Sequence, residues 1–398
     1  MIDKNYIFIG DNYNVMSSKE FNKFKNSVDL IYIDPPYNTG NKFSFNDNNN
    51  QWYDDIFCRL ELAKECLNNE GVIYISIDDS ELASLLNACY NVFGKDNFAG
   101  IFVSKQSLRS NSKQINVIHE YIVCFCKNKK FAPNFYINRI NNPTEADGIN
   151  YIIKNVKKEF DSNGQNAAKD LLKDLIKKYC INNNVTWIKN YNNVDDKGNI
   201  YFAKDLSTPG KPRTVDIPLI NLHLAPLNTR GWSSDSKFIK LYNSNRLCFK
   251  ANRPYEIEYL SESVDNITSI LDFYSRHGTN DLKKLGLAGL FDTPKPVEMM
   301  KFLIRSTLHK NGTVLDFYAG SGTTAQAVYE VNQEDRSEHK YILIQRKEKL
   351  NTNSDVYKKA LEFGISNPSV DDLMILRINK FLELTKITDD YNLIYIGE

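Results

Sequence analysis

Short apolar runs rich in β-branched and aromatic residues recur along the first third of the chain, separated by stretches whose apolar positions repeat at helical spacing. Residues 6–9 and 28–33 read as strands, the first ending in Gly10-Asp11-Asn12 and the second running into Asp34. Phe21 and Phe24 predict a short helix between them. Ile56, Leu60, Ala63 and Leu67 predict a helix that Gly71 ends, and residues 72–77 a further buried strand. Asp78 and Asp79 cap the next predicted helix, which carries Leu82, Leu85, Leu86, Ala88 and Val92. Residues 101–103 and 121–125 add two strands, readable as an antiparallel pair at the sheet's far edge. Alternation of this kind implies a mostly parallel sheet covered on both faces.

The pattern changes near residue 131: Asn and Lys dominate, apolar runs shorten, and prolines 209, 212, 218 and 226 punctuate the stretch. Helical spacing appears only around residues 167–179. After residue 288 the sheet pattern returns, with a helix through Val297, Met300, Leu303, Ile304 and Leu308, strands at 313–315 and 341–344, and closing helices around Leu361 and Leu373–Phe381. The predicted organisation is one α/β unit built from residues 1–130 and 288–398, with a separate module, 131–287, inserted into it.

Two words in this pattern carry chemistry. In I-Y-I-D-P-P-Y-N-T-G, Asp34 stands at a strand's carboxyl end, where open α/β sheets bind ligands. Pro35 and Pro36 stiffen the exit and Tyr37 follows on a preset course. A carboxylate, a proline-held carbonyl and an aromatic ring suit a flat ligand bearing an amine. In T-V-L-D-F-Y-A-G-S-G-T-T-A, a strand ends in Asp316, Gly320 and Gly322 make a turn, and Thr323 opens a helix whose amides favour a carboxylate. No lysine follows Gly322, so this is not a P-loop; Ala325 at the third glycine position leaves a dinucleotide open.

Composition narrows the partners. A formal charge of +1 over 398 residues rules out a uniformly basic polymer binder, so nucleic-acid contact must use local surfaces. One such surface is the loop holding Lys105, Arg109 and Lys113, in a stretch where Glu120 is the only acid from residue 98 to 139. Seven cysteines without C-x-x-C spacing read as structural thiols in a reducing compartment, with no metal site expected. No apolar run approaches the ~20 residues that span a bilayer, and a cytoplasmic location is expected. The Asn-rich stretch 41–51, with Phe43 and Phe45 embedded, reads as a mobile loop over the site.

D-P-P-Y resembles the catalytic motif of DNA methyltransferases that act on exocyclic amines, and D-F-Y-A-G-S-G-T-T resembles their S-adenosylmethionine motif. The longer Y-I-D-P-P-Y-N-T-G and H-E-Y-I-V-C-F-C-K-N are similar to segments of Mod-type adenine methyltransferases from type III restriction-modification systems. Catalytic word first, insert second and cofactor word last is the permuted order of the beta group. The resemblance implies a Rossmann-like methyltransferase fold with a mixed, mostly parallel sheet and an inserted target-recognition domain. It implies a cofactor site of Asp316, Phe317, Ala319, Gly320, Ser321, Gly322 and Thr323, with Asp11 toward the cofactor's adenine and Lys295 toward its carboxylate. An acid after residues 341–344 should hold the ribose; the strand ends in Gln345-Arg346-Lys347-Glu348, so either Gln345 or Glu348 serves. Within the insert, Arg213, Arg230 and Trp232 are the foremost candidates to touch DNA, beside Lys237, Arg246, Arg253, Tyr274 and Arg276. Arg377 resembles an arginine of a family helix, with no derivable role.

The resemblance implies methyl transfer from S-adenosylmethionine to adenine N6 in double-stranded DNA, with Asp34 and the Pro35 carbonyl orienting the amine and Tyr37 stacking on the extruded base. A nuclease partner and a homodimer are further expectations. Three alternatives stay open: N4-cytosine methylation, a non-catalytic specificity subunit, and an NAD-dependent enzyme for a small substrate. The methyltransferase reading requires Asp34 and Gly320, far apart in sequence, to meet in one cleft.

Overall fold

The computed structural model describes residues 2–39, 51–106, 114–388 and 390–397, which form two compact units. The first unit comprises residues 1–136 and 266–398, the second Ile137–Asp265. Residues 266–287, which the apolar pattern assigns to the insert, therefore belong to the first unit. Ile270–Leu271 pairs parallel to Phe98–Lys105, and the Asp281 side chain accepts from the Val297 amide that opens the helix Val297–Thr307. This segment has too little apolar periodicity to signal a sheet partner.

A sheet of nine strands organises the described residues of the first unit. Its order is Ile270–Leu271, Phe98–Lys105, His119–Cys126, Leu67–Ile77, Val28–Ile33, Thr313–Asp316, Lys340–Gln345, Asn5–Ile9 and Tyr391–Tyr395. Only His119–Cys126 runs against its neighbours. The other pairs are parallel. The sheet is thus mixed and mostly parallel, and the antiparallel pair lies one strand in from the edge. Ile31, Ile33, Ile73, Ile75, Leu315 and Ile342 are buried in one continuous core with Phe8, Phe21 and Phe24. Near-continuous apolar runs result because both faces are covered.

Three local readings need correction. Leu67 starts a strand rather than ending a helix: it adopts extended geometry after Cys66, and Gly71 lies inside an eleven-residue strand whose register shifts between Val28 and Leu30. Glu81, not Asp78 or Asp79, precedes the helix Leu82–Phe93; Asp78 instead accepts from the Ser80 amide in the turn before it. The tail holds, besides its helices, the edge strand Tyr391–Tyr395. In the second unit the predicted helix extends over Ala146–Asn183, broken at Gly164, and packs a small core of Ile149, Val156, Leu172 and Ile188.

Candidate active site

Val28–Ile33, Thr313–Asp316, Lys340–Gln345 and Asn5–Ile9 are parallel neighbours, so their carboxyl ends share one edge of the sheet. Asp34, Asp316, Gln345 and Asp11 therefore converge there although up to 334 positions separate them in sequence. His119–Cys126 runs the other way and brings its first residues to the same edge, with Ile77 opposite Tyr121. That reversal delivers Glu120.

A cleft of about 420 Å³ opens at this edge and is lined by Asp34, Pro35, Pro36, Tyr37, Glu120, Lys295, Asp316, Ala319, Gly320, Ser321, Thr323, Gln345 and Glu348. Asp34 and the glycine turn thus share one cavity. A second cavity of about 290 Å³ holds Asp11, Arg59, Trp52 and Phe317 and again Gln345 and Glu348. These last two residues line both. Gly322 lines neither; it sits behind the wall at φ +73°, where an added Cβ would stand 3.0 Å from Met374.

On one wall, Lys295 Nζ lies 3.1 Å from Asp34 Oδ1 and 2.8 Å from Glu120 Oε2, and donates to Tyr37 Oη at 2.7 Å. Tyr37 donates its hydroxyl to Asp34 Oδ1 at 2.7 Å. Gln106 donates to Glu120 Oε2 at 2.9 Å. Burial pushes the Asp34 carboxyl up, Lys295 opposes that push, and the nearby Glu120 adds to it. Burial works against the Lys295 charge, but Asp34 and Glu120 together raise its pKa and keep it an ammonium. The Trp52 indole donates to the Pro36 carbonyl at 2.7 Å, which fixes the turn. Among the described residues, the Pro35 carbonyl and Asp34 Oδ2 carry no hydrogen bond.

The opposite wall is built around the glycine turn. Gly320, at φ +51°, gives its amide to Gln345 Oε1 at 2.8 Å, and Gln345 Nε2 donates to the Arg346 carbonyl. Gly322 precedes the helix Thr323–Asp335. Below the turn, Asp316 accepts from Thr324 Oγ1 at 2.5 Å and from the Tyr318 amide, and burial pushes its pKa up to about 7. Burial also raises the Glu348 carboxyl, with Arg346 opposing. Asp11 is engaged as a helix cap for Tyr13 and Asn14 and meets Arg59 at 3.3 Å.

The predicted DNA contacts fare differently. Lys105 is half-exposed and paired with Asp272 at 2.6 Å, while Arg109 and Lys113, like Phe43 and Phe45, lie outside the described residues. In the second unit, Trp232 is buried and donates its indole N–H to the Ala225 carbonyl, which makes it a core residue rather than a base-stacking surface. Arg213 is drawn to the Trp232 and Ser233 carbonyls and to Asp235 at 2.7 Å. Arg230 is exposed and donates to the Ser207 carbonyl at 3.1 Å. Glu120 and Arg59 join the cavities without belonging to the residues expected there. The signal for Glu120 was present, a lone acid in an otherwise basic stretch.

Along most of its length the chain is similar to known proteins. Residues 28–356 match the profile of the DNA methylase family of N6 and N4 type. The Mod subunit of the type III restriction-modification enzyme EcoPI, from Escherichia phage P1, is 28% identical over 97% of this chain and 63% of its own length. The EcoP15I Mod subunit of Escherichia coli is 26% identical over 88% of this chain and 59% of its own. The type II methyltransferase M.KpnI of Klebsiella pneumoniae is 26% identical over 94% and 86%. The chain thus spans about three fifths of the length of the two Mod subunits. With one family profile running from the strand before Asp34, through the inserted unit, to beyond the glycine turn, the chain belongs to the N6/N4 DNA methylase family.

Proposed function

We propose that the chain is a site-specific DNA methyltransferase that moves a methyl group from S-adenosylmethionine to the exocyclic amine of adenine in double-stranded DNA. The observation that carries this reading is the single cleft in which Asp34 and Pro35 face the Gly320 turn. The residues present fit the donor molecule. Ser321 and Thr323 offer donors for a carboxylate, and the second cavity, which Glu348 also lines, holds Asp11, whose carboxylate would have to share its cap and Arg59 contacts with an adenine amine. Glu348 rather than Gln345 is assigned to the ribose hydroxyls: Gln345 already spends both ends of its amide on Gly320 and Arg346, whereas a half-buried carboxylate without a hydrogen-bond partner among the described residues needs donors. When bound, S-adenosylmethionine supplies an electrophilic methyl on a sulfonium.

The rest of the chemistry belongs to the chain. An exocyclic amine is a poor nucleophile because its lone pair is delocalised into the ring. Asp34 and the Pro35 carbonyl accept its two hydrogens and favour a tetrahedral nitrogen whose lone pair points across the cleft. Tyr37, its hydroxyl anchored by Asp34 and Lys295, offers its ring to the extruded base. Lys295, which the resemblance directs to the cofactor carboxylate, also balances Asp34 and Glu120. Covalent catalysis is not needed.

The choice of adenine over cytosine rests on D-P-P-Y, since the family covers both bases. The inserted unit is assigned to target recognition, with Arg230 as its candidate contact; Lys105, in the first unit, is another. As in a Mod subunit, a nuclease partner in the cytoplasm accompanies this reading, and a homodimer is compatible with it; no helix among the described residues is long and apolar enough to cross a membrane. Radiolabelled transfer from S-adenosylmethionine to DNA, followed by chromatography of the digested nucleosides, tests the assignment. N6-methyladenine is expected; N4-methylcytosine would move the activity to the other base, and no label would favour a specificity subunit.

A further inference from the structure

Arg377 is the largest fully buried side chain among the described residues, and no carboxylate lies within 4 Å of it. It projects from the helix Val370–Thr385, which also gives Val370 and Leu373 to the cleft. Its Nη1 donates to the Ser321 and Thr323 hydroxyls at 2.7 Å each and to the Ser321 carbonyl at 3.3 Å. Nε and Nη2 both donate to Gln326 Oε1, at 3.2 and 2.9 Å. The nearest acids are committed elsewhere: Asp281 to Lys284 and the Val297 amide, Glu330 to Lys301. Burial without a paired carboxylate pulls the Arg377 pKa down to about 10, which still leaves it charged at neutral pH.

A buried guanidinium held only by neutral groups is costly, and an apolar side chain of similar volume would serve packing better. What the guanidinium does that methionine could not is set polarity. It only donates, so both hydroxyl oxygens must accept from it and turn their protons elsewhere. Thr323 directs its proton to the Lys295 carbonyl at 3.3 Å. With the Thr323 proton so placed, Ser321 is the donor to Thr323 Oγ1 at 3.1 Å, and this is the proton it can turn to a carboxylate at the wall of the cleft that both residues line.

We infer that Arg377 is a positioning residue for the amino-acid end of the methyl donor: it orients the Ser321 and Thr323 hydroxyls as a unit and places an unpaired positive charge behind a turn that receives a carboxylate. This rests on the S-adenosylmethionine reading above. The test compares two ligands that differ in the amino-acid portion, S-adenosylhomocysteine and 5′-methylthioadenosine, by titration calorimetry on the full chain and its Arg377→Met, Arg377→Lys and Ser321→Ala variants. Arg377→Met and Ser321→Ala should weaken S-adenosylhomocysteine about ten- to a hundredfold, the loss expected for a charge-assisted contact, and methylthioadenosine by less than about twofold. Arg377→Lys, which keeps the charge but not the fork, should fall between. Equal losses for both ligands, or none for either, would reduce Arg377 to a structural strut and overturn the inference. If Arg377→Met does not fold, Arg377→Lys and Ser321→Ala decide by the same criterion. A wild-type chain that binds neither ligand would remove the cofactor reading and this inference together; one that binds both, with variants that do not discriminate, removes this inference alone.

Discussion

The two walls of the cleft are built on opposite principles. The Asp34 wall collects acceptors: a carboxylate and a proline carbonyl with open lone pairs, their charge balanced by Lys295. Across from it, the Ser321–Thr323 segment offers donors, its hydroxyls and the helix start backed by a buried arginine. A wall of acceptors selects an amine and a wall of donors selects an anion. Under the proposed function one cavity would hold two ligands apart by complementary polarity, and substitutions should separate the two functions.

The largest separation is expected from Asp34→Ala. Loss of the acceptor aimed at the amine should lower single-turnover methyl transfer about a thousandfold, the upper range for one electrostatic contact in a transition state. Cofactor affinity should change little, and an equal loss in both measurements would contradict the division between walls. Gly320→Val should do the reverse. A β-branched residue at φ +51° carries strain of about 1–3 kcal/mol, so cofactor affinity should fall about ten- to a hundredfold while transfer at saturating cofactor is largely kept.

Glu120→Gln should act more gently and through pH. Glu120 helps hold the Asp34 carboxyl above its usual range, and under the proposed function transfer needs that carboxyl ionised. Removing the like charge lowers the Asp34 pKa, so the acid limb of the rate profile should move to lower pH; a move upward would mean Glu120 acts otherwise. Smallest is Asp316→Asn. Asp316 has a folded pKa of about 7 against 3.8 unfolded. The native state therefore holds a proton that the unfolded chain has lost, and stability falls as pH rises through that window. Asp316→Asn should flatten this slope, a change of about a few degrees in Tm between pH 4 and 7; an unchanged slope would assign the proton elsewhere.

The second unit obeys a different logic from the cleft. Arg246 pairs with Glu262, Lys237 with Glu256, Lys204 with Glu258 and Arg253 with Asp205. Charges that look like phosphate clamps in a linear reading are largely neutralised by acidic partners on neighbouring strands, helices and turns of the same unit, and such exposed pairs contribute little to stability. Trp232 illustrates the limit further: an R-G-W word looks like a surface motif, yet its indole closes a small core.

The chain's own order of residues was enough to determine the alternation of strand and helix and the two chemical words, each of which depends on local periodicity or on turn chemistry spanning about ten residues. The expectation that Asp34 and Gly320 meet came from the family resemblance those words carry. Only the tertiary structure decided that Glu120 joins the site, that residues 266–287 belong to the sheet unit, that Gln345 is already engaged, and that Arg377 stands behind the glycine turn. Those outcomes come from pairings between strands and helices dozens to hundreds of residues apart. Which groups share a desolvated space depends on such pairings, and no local pattern carries that information.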